Sequence, residues 1–279
     1  HFNTRAAKAT DKIAGKGYSV IEEVSLKTLP PPPPGAVFNA AEQAKYREFK
    51  EARRGAADYM AIEGEFSRYL DDVYSDKPVE RKALDDECEI LVVGGGFGGL
   101  ILWYKLREAG FTDVRYCEKG GDVGGTWYWN RYPGARFDSE SYSYGYSFSQ
   151  DLLDQWDWQE RFSAQPENLK YLQHVTEQFD LRSDIRFQSV VTQCTFDETS
   201  NEWQVEVEDG FRVRCRFLVT AIGILSKPLI PDFDGMEDFK GPSFHTAQWP
   251  HEEVVFTGKR VGVIGTGATA VQLIQEVAK

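Results

Sequence analysis

Two short apolar runs, each entering a glycine-rich turn, organise the chain. Glu89-Ile90-Leu91-Val92-Val93 leads into Gly94–Gly99, and Arg260–Ile264 leads into Gly265–Ala270. A stretch of helical length follows each turn, Leu100–Ala109 before Gly110 and Ala268–Val277 near the end. Val114–Cys117 is the next strand and stops at Glu118, so the first turn lies in a strand–loop–helix–strand unit. Pro166–Phe179 predicts a helix with proline at its first position. Ile185–Phe196, Trp203–Glu208 and Phe211–Arg216 alternate as strands do, separated by turns at Thr199-Ser200-Asn201 and Asp209-Gly210. Phe217–Ile222 reads as a final apolar strand ending at Gly223. Between these elements Gly120–Ser147 shows little periodicity and is rich in Gly, Trp, Tyr and Arg. A long ordered loop of that kind is usually functional.

The first 85 residues read differently. Pro30–Pro34 is a stiff five-proline run, best taken as a spacer, with peptide recognition as the lesser alternative. Asn39-Ala40-Ala41-Glu42 has the form of a capping box for a charged helix that Gly55 would end. Asp58 could cap a second helix carrying Met60, Ile62, Phe66, Tyr69, Leu70 and Val73, and Lys82–Glu87 reads as a polar linker. The whole pattern predicts a three-layer α/β fold with two Rossmann-like dinucleotide-binding domains, a small antiparallel β element and a helical N-terminal extension. The expected boundaries are 1–87 for the extension, 88–222 for the first domain, and 223–279 for a linker and the start of the second. A doubly wound domain needs several strands after its first loop, so the second is expected to be incomplete here and the chain to be part of a longer one.

Composition narrows the partners. A formal net charge of -12 argues against nucleic acid, whose phosphate backbone needs a basic surface. A hydrophobic content of 41% supports a sizeable core. Cys88, Cys117, Cys194 and Cys215 make no CxxC pair, which disfavours a zinc site, a redox disulfide and any disulfide reductase activity. They suit reduced thiols in a cytoplasmic protein. No apolar run approaches the ~18 residues of a membrane span, and His1–Arg5 lacks the pattern of a secretory signal.

The turns carry the chemistry. Gly94 permits the tight turn, Gly96 lets backbone approach a pyrophosphate, and Gly99 lets the helix pack on its strand. The amides at the following helix N-terminus favour a phosphate. Glu118, at the end of the next strand, is placed to accept hydrogen bonds from an adenosine ribose. The second loop, Gly265-x-Gly267-x-x-Ala270, repeats the pattern, but the residue that would separate NADP from NAD falls past Lys279. Just ahead of it lies Phe239-x-Gly241-x-x-x-His245-x-x-x-Trp249-Pro250. An isolated His and Trp four apart would be read as a packed linker; the five fixed positions together are what inform.

With these motifs in view the chain resembles the type I Baeyer–Villiger monooxygenases. Their FxGxxxHxxxW(P/D) pattern is matched by Phe239, Gly241, His245, Trp249 and Pro250, and Gly124–Asp138 resembles their flavin-side loop. The resemblance covers about residues 88–279. It implies FAD on Gly94, Gly96, Phe97, Gly98, Gly99 and Glu118, with Gly125, Thr126, Trp127, Tyr128, Trp129 and Tyr144 along the flavin and Val191 at the adenine. It places NADP(H) on Gly265, Thr266, Gly267, Ala268, Thr269, Ala270, Val271 and Gln272, and sets Arg136, Phe137 and Asp138 facing both cofactors. In such enzymes NADPH reduces the flavin, O2 is captured as a C4a-peroxide, and attack on a ketone gives an ester or lactone. Asp138 matches the aspartate that orients the catalytic arginine, itself expected beyond Lys279, so the remainder of the polypeptide would be needed. His245 and Trp249 are expected to couple the two domains. Longer extensions in some relatives go with bulky or polycyclic ketones. The rival readings are a flavin monooxygenase that oxidises nitrogen or sulfur, which Trp249-Pro250 disfavours, and a nucleotide-binding scaffold without turnover.

Overall fold

β1 (Leu84–Val93) is the axis of the fold because it is paired on both sides. It runs parallel to β2 (Val114–Cys117) on one side and to β6 (Phe211–Thr220) on the other. Leu91 and Val92 are completely buried, so both faces of the strand are covered. That accounts for an unbroken apolar run where a half-exposed strand would alternate. β3 (Ile185–Arg186), β4 (Val191–Asp197) and β5 (Glu202–Val207) complete a six-stranded sheet in the order β3-β2-β1-β6-β5-β4. The helices in chain order are α1 (Phe97–Glu108), α2 (Thr126–Trp129), α3 (Ser141–Tyr144), α4 (Gln150–Gln155), α5 (Gln165–Gln178) and α6 (Ala268–Val277). This computed structural model describes residues 44, 67–68, 70–75, 79–232 and 234–279. The proline run and the expected helices before residue 67 lie outside the described residues. Leu70 lies in a 3-10 turn and Val73 in a hydrogen-bonded turn.

One face of the sheet carries α1 and α5. Leu100 and Trp103 of α1 and Tyr171, Leu172 and Val175 of α5 pack with Ile90, Val92 and Tyr116 in one buried cluster. The spacing of the α5 residues places them on one face of the helix. Gly110, at φ +88°, ends α1 in the left-handed conformation that glycine adopts without strain. A second buried cluster joins Val205, Val207, Phe211 and Val213 of β5 and β6 with Cys88, Leu91 and Cys117. Leu172 is 0% exposed at the centre of the helical face. Leu172→Ala is expected to lower unfolding stability by about 2–5 kcal/mol, read from the shift in a urea transition.

Four features depart from the sequence pattern. First, the stretch taken as a linker is strand from Leu84 onward. Its acidic side chains pair across the sheet, Asp85 with Arg212 at 3.0 Å and Glu87 with Arg214 at 2.6 Å, so ion pairs took the place of an apolar signal. Second, Phe211–Arg216 and Phe217–Ile222 belong to one strand. The pattern changes there because antiparallel pairing with β5 stops at Cys215, while parallel pairing with β1 continues. Third, Ile185–Phe196 divides at Gln188, whose φ is +50°. The Gln188 and Ser189 amides donate to the Gly120 and Glu118 carbonyls, tying this break to the end of β2. Fourth, Arg260–Ile264 is not a strand. It has no pairing partner among the described residues, and without a ladder β-branched residues do not make a strand. Val261 is 42% and Ile264 75% exposed. No helix among the described residues is long and apolar enough to cross a membrane.

Candidate functional site

The first glycine loop is closed by contacts that leave no space for side chains. Gly94 leaves β1 at φ +117° and donates its N–H to the Cys117 carbonyl at 2.8 Å. A Cβ on Gly94 would lie 2.5 Å from the Ala221 carbonyl oxygen, and one on Gly99 would lie 1.8 Å from that of Gly94. A Cβ on Gly96 would meet the Gly125 Cα at 3.2 Å, so the first loop and the flavin-side loop touch backbone to backbone. Gly98 is different: it is exposed, and its Cβ would meet only Ala221 at 4.0 Å. No side chain caps α1 at Gly96. The first-turn amides therefore remain as donors at the positive end of the helix, the arrangement that suits an anionic pyrophosphate.

Glu118 sits beside this opening, only 5% exposed. Its carboxylate accepts the Gly95 amide at 2.5 Å and the Gly120 amide at 2.7 Å. Burial pushes its pKa up, and the two amides pull against that shift. A carboxylate offers about four acceptor positions, and these two amides use two of them. Val191 opens β4 at an irregularity in its pairing with β5, opposite Val207.

The flavin-side loop is built on aromatic packing. Phe137 stacks on Tyr144 with centroids 4.2 Å apart, Phe97 meets Tyr144 edge-on at 4.7 Å, and Trp127 Nε1 donates to the Tyr144 hydroxyl at 3.0 Å. Phe97, Trp127, Phe137 and Tyr144 are thus one cluster. Gly124 and Gly125 hold positive φ values of +136° and +52°, which turn the chain into α2. Within α2, Thr126 is exposed, Trp127 and Tyr128 are buried, and Trp129 lies under the Lys119 ammonium at 4.3 Å. Buried Gln165 donates to the Trp127 carbonyl, a tie the pattern of Pro166–Phe179 did not reveal.

At the second loop, Gly265 takes φ +121° and Gly267 caps α6, again with no side-chain cap. Neither would bring a Cβ within 4 Å of another atom, so this loop is open where the first is crowded. Thr266 and Ala268 are exposed, Thr269 bonds Tyr132, Ala270 is buried and Val271 is 56% exposed. Gln272 reaches the flavin-side loop. Its Nε2 donates to the Arg136 carbonyl at 2.9 Å and to Asp138 Oδ1 at 3.4 Å, while its Oε1 accepts the Tyr132 hydroxyl at 2.8 Å. Gly134 lets α6 approach: a Cβ there, at φ +80°, would lie 2.7 Å from the Gln272 carbonyl oxygen. Arg136 turns outward to Glu160 at 3.2 Å, and Asp138 is exposed.

The Phe239–Pro250 segment is mostly irregular. Its only regular piece is the 3-10 turn Thr246–Gln248, with His245 before it and Trp249 after. Phe239 folds over Gly241, where a Cβ would meet the ring at 2.7 Å. His245 Nδ1 accepts the Ala247 amide at 3.1 Å, and burial lowers the ring's pKa against a raising contribution from the Leu229 backbone. Trp249 is 8% exposed and packs with Tyr132 and Ala135 of the flavin-side loop and Leu273 of α6. Two residues outside every motif also contribute. The Asp72 carboxylate accepts the Tyr128 hydroxyl at 2.9 Å, and the Tyr74 hydroxyl donates to the Trp249 carbonyl at 2.8 Å. Neither carried a sequence signal: Asp72 falls inside the expected second helix and Tyr74 just past it, while their partners Tyr128 and Trp249 lie far along the chain.

This geometry defines a dinucleotide-binding α/β protein with a second glycine loop docked on the first unit's aromatic loop. Residues 91–279 match the model of the pyridine nucleotide-disulphide oxidoreductases, and the chain belongs to that family. It falls with the Baeyer–Villiger monooxygenases within it. Acetone monooxygenase (methyl acetate-forming) from Gordonia sp. (strain TY-5) is 49% identical over 187 residues, covering 67% of this chain and 35% of that protein. Neopentalenolactone D synthase from Streptomyces avermitilis is 40% identical over 257 residues, covering 86% of this chain and 42% of that protein. A crystal structure of OTEMO in complex with FAD and NADP is 44% identical with a TM-score of 0.65, covering 68% of this chain and 37% of that one. The chain thus spans 35% to 42% of the length of these two curated relatives. An alignment over 86% of the chain reaches well ahead of Cys88, so the likeness extends into the N-terminal extension, contrary to the sequence expectation. The family name refers to disulphide chemistry, yet all four cysteines here are free, and Cys88, Cys117 and Cys215 are buried.

Proposed function

We propose that this chain forms the FAD-binding part and the beginning of the NADP-binding part of a Baeyer–Villiger monooxygenase. The enzyme would insert one oxygen atom of O2 beside a ketone carbonyl, giving an ester or lactone at the expense of NADPH. The observation that carries this reading is the seat of Trp249. Its ring fills the join between Tyr132 and Ala135 on one side and Leu273 on the other. The residue that singles out this class of flavin enzyme is therefore also the one that packs the two loops together.

When bound, FAD and NADPH supply hydride transfer and oxygen activation; the protein supplies place and polarity. The first-turn amides of α1 would bind the FAD pyrophosphate, and Glu118 would accept its ribose hydroxyls. Phe97, Trp127, Phe137 and Tyr144 form a dry aromatic wall that would exclude water from the flavin side. The uncapped N-terminus of α6 would take the NADP pyrophosphate. Asp138, beside Gln272, would orient an arginine supplied by a segment beyond the matched part of the relatives, so further polypeptide would complete the site. The same reading places the protein in the cytoplasm, where thiols stay reduced.

The test is direct. The full enzyme is expected to purify yellow and to consume NADPH faster when ketone is added, with ester or lactone recovered in equal amount. A panel of small and polycyclic ketones, with an organic sulfide beside them, reads the substrate class. Oxidation of the sulfide with no ketone product would replace this reading by heteroatom oxidation. A yellow protein that no ketone or sulfide stimulates would leave a nucleotide-binding scaffold.

A further inference from the structure

The segment Asp71–Ser75 precedes the first glycine loop and belongs to none of the motifs, yet it touches three parts of the site. The Asp71 carbonyl accepts the Gln248 side-chain amide at 2.7 Å. The Asp72 carboxylate accepts the Gly121 amide at 2.8 Å, the Tyr128 hydroxyl at 2.9 Å and the Tyr74 amide at 3.0 Å. Tyr74 donates its hydroxyl to the Trp249 carbonyl at 2.8 Å. Its ring lies 3.9 Å from the Arg131 guanidinium carbon and meets Tyr128 edge-on at 5.9 Å. Ser75 Oγ accepts the Gln188 amide at 2.6 Å.

We propose that Tyr74 is a positioning residue and that Asp71–Tyr74 is a strap joining the two glycine loops. One end of the strap is Asp72 on Tyr128 of α2, which lies against the first loop through Gly125. The other end is Tyr74 and Asp71 on Trp249 and Gln248. Trp249 in turn packs on Leu273 of α6, whose N-terminus is the second loop. The Trp249 ring is fixed by apolar packing, but packing is non-directional and leaves the segment free to slide. The Tyr74 and Gln248 hydrogen bonds supply the direction. Two ties that cross more than 170 residues of sequence make the extension part of the join. The inference rests on the reading of the loops as FAD and NADP sites.

Tyr74→Phe removes the hydroxyl and keeps the ring for Arg131. Gln248→Leu removes the other tie by an independent route and stands in if the first variant does not fold. Both are made in the full FAD-loaded enzyme, and NADP+ is titrated by calorimetry and by the perturbation it causes in the flavin spectrum. Each variant is expected to retain one FAD per chain with an unshifted spectrum and to bind NADP+ about fivefold more weakly, the equivalent of one net hydrogen bond. Unchanged NADP+ affinity in both variants would overturn the strap. Parallel loss of FAD and NADP+ would also overturn it, since that is what a general structural role produces. A parent enzyme that shows no response to NADP+ would instead sink the reading of the second loop, which is a distinguishable result.

Discussion

Gly99→Ala is expected to yield a protein without bound FAD and with a lowered melting temperature. The added Cβ would stand 1.8 Å from the Gly94 carbonyl oxygen, a backbone atom rather than the far end of a flexible side chain. Gly94 is itself held by its hydrogen bond to the Cys117 carbonyl. To reach a normal contact, α1 would have to withdraw from β1 by roughly 1.5–2 Å. That withdrawal would pull Leu100 and Trp103 out of a cluster in which they are 2% and 4% exposed. Overpacking of this kind costs about 1–3 kcal/mol or more, and the amides that face the pyrophosphate would move with the helix. Gly98→Ala is the internal control. Its Cβ meets nothing nearer than 4.0 Å, and alanine gains up to about 1 kcal/mol over glycine in a helix. The neighbouring substitutions should therefore shift the melting temperature in opposite directions. Flavin content by visible absorbance and thermal melts decide the matter; a Gly99→Ala protein with full flavin would refute the crowded-loop account.

Asp138→Ala should have the largest effect on turnover with the smallest effect on structure. Its neighbour Phe137 is buried and stacked on Tyr144, so the backbone is anchored without the carboxylate. Asp138 is exposed, and among the described residues its hydrogen bond is a long 3.4 Å contact from Gln272. Removing it creates no cavity and strands no buried partner. If it orients the arginine that stabilises negative charge, ester formation should fall about a hundredfold or more. FAD should stay bound, and NADPH should still be oxidised, with hydrogen peroxide replacing ester as the product. Product analysis against NADPH consumption reads this split. Ester yield equal to that of the parent would remove Asp138 from the catalytic roles.

What the sequence made legible was whatever a spacing rule governs. Gly94, Gly96, Gly99 and Glu118 follow from the demands of one turn and one helix end, and they lie where those demands put them. α5 was legible from Pro166 at its start, and its buried face carries Tyr171, Leu172 and Val175. The first turn of β1 was hidden because its partners, Arg212 and Arg214, lie far along the chain and no local pattern marks an ion-paired strand. The local form of the His245–Trp249 segment had no signal, because the His245 Nδ1 accepts the Ala247 amide and closes a 3-10 turn that no spacing marks. Asp72 and Tyr74 were illegible for a related reason: a hydrogen bond between residues 175 apart leaves no trace in either neighbourhood.

Arg260–Ile264 bears on how the protein behaves in a tube. Its peptide groups have no ladder partner among the described residues, and Ile224, Val261 and Ile264 lie open to solvent at 97%, 42% and 75% exposure. Exposed apolar side chains on backbone without a ladder partner are a place where another extended chain can add by strand pairing. Self-association that rises with protein concentration is the expected consequence, and light scattering across a dilution series reads it.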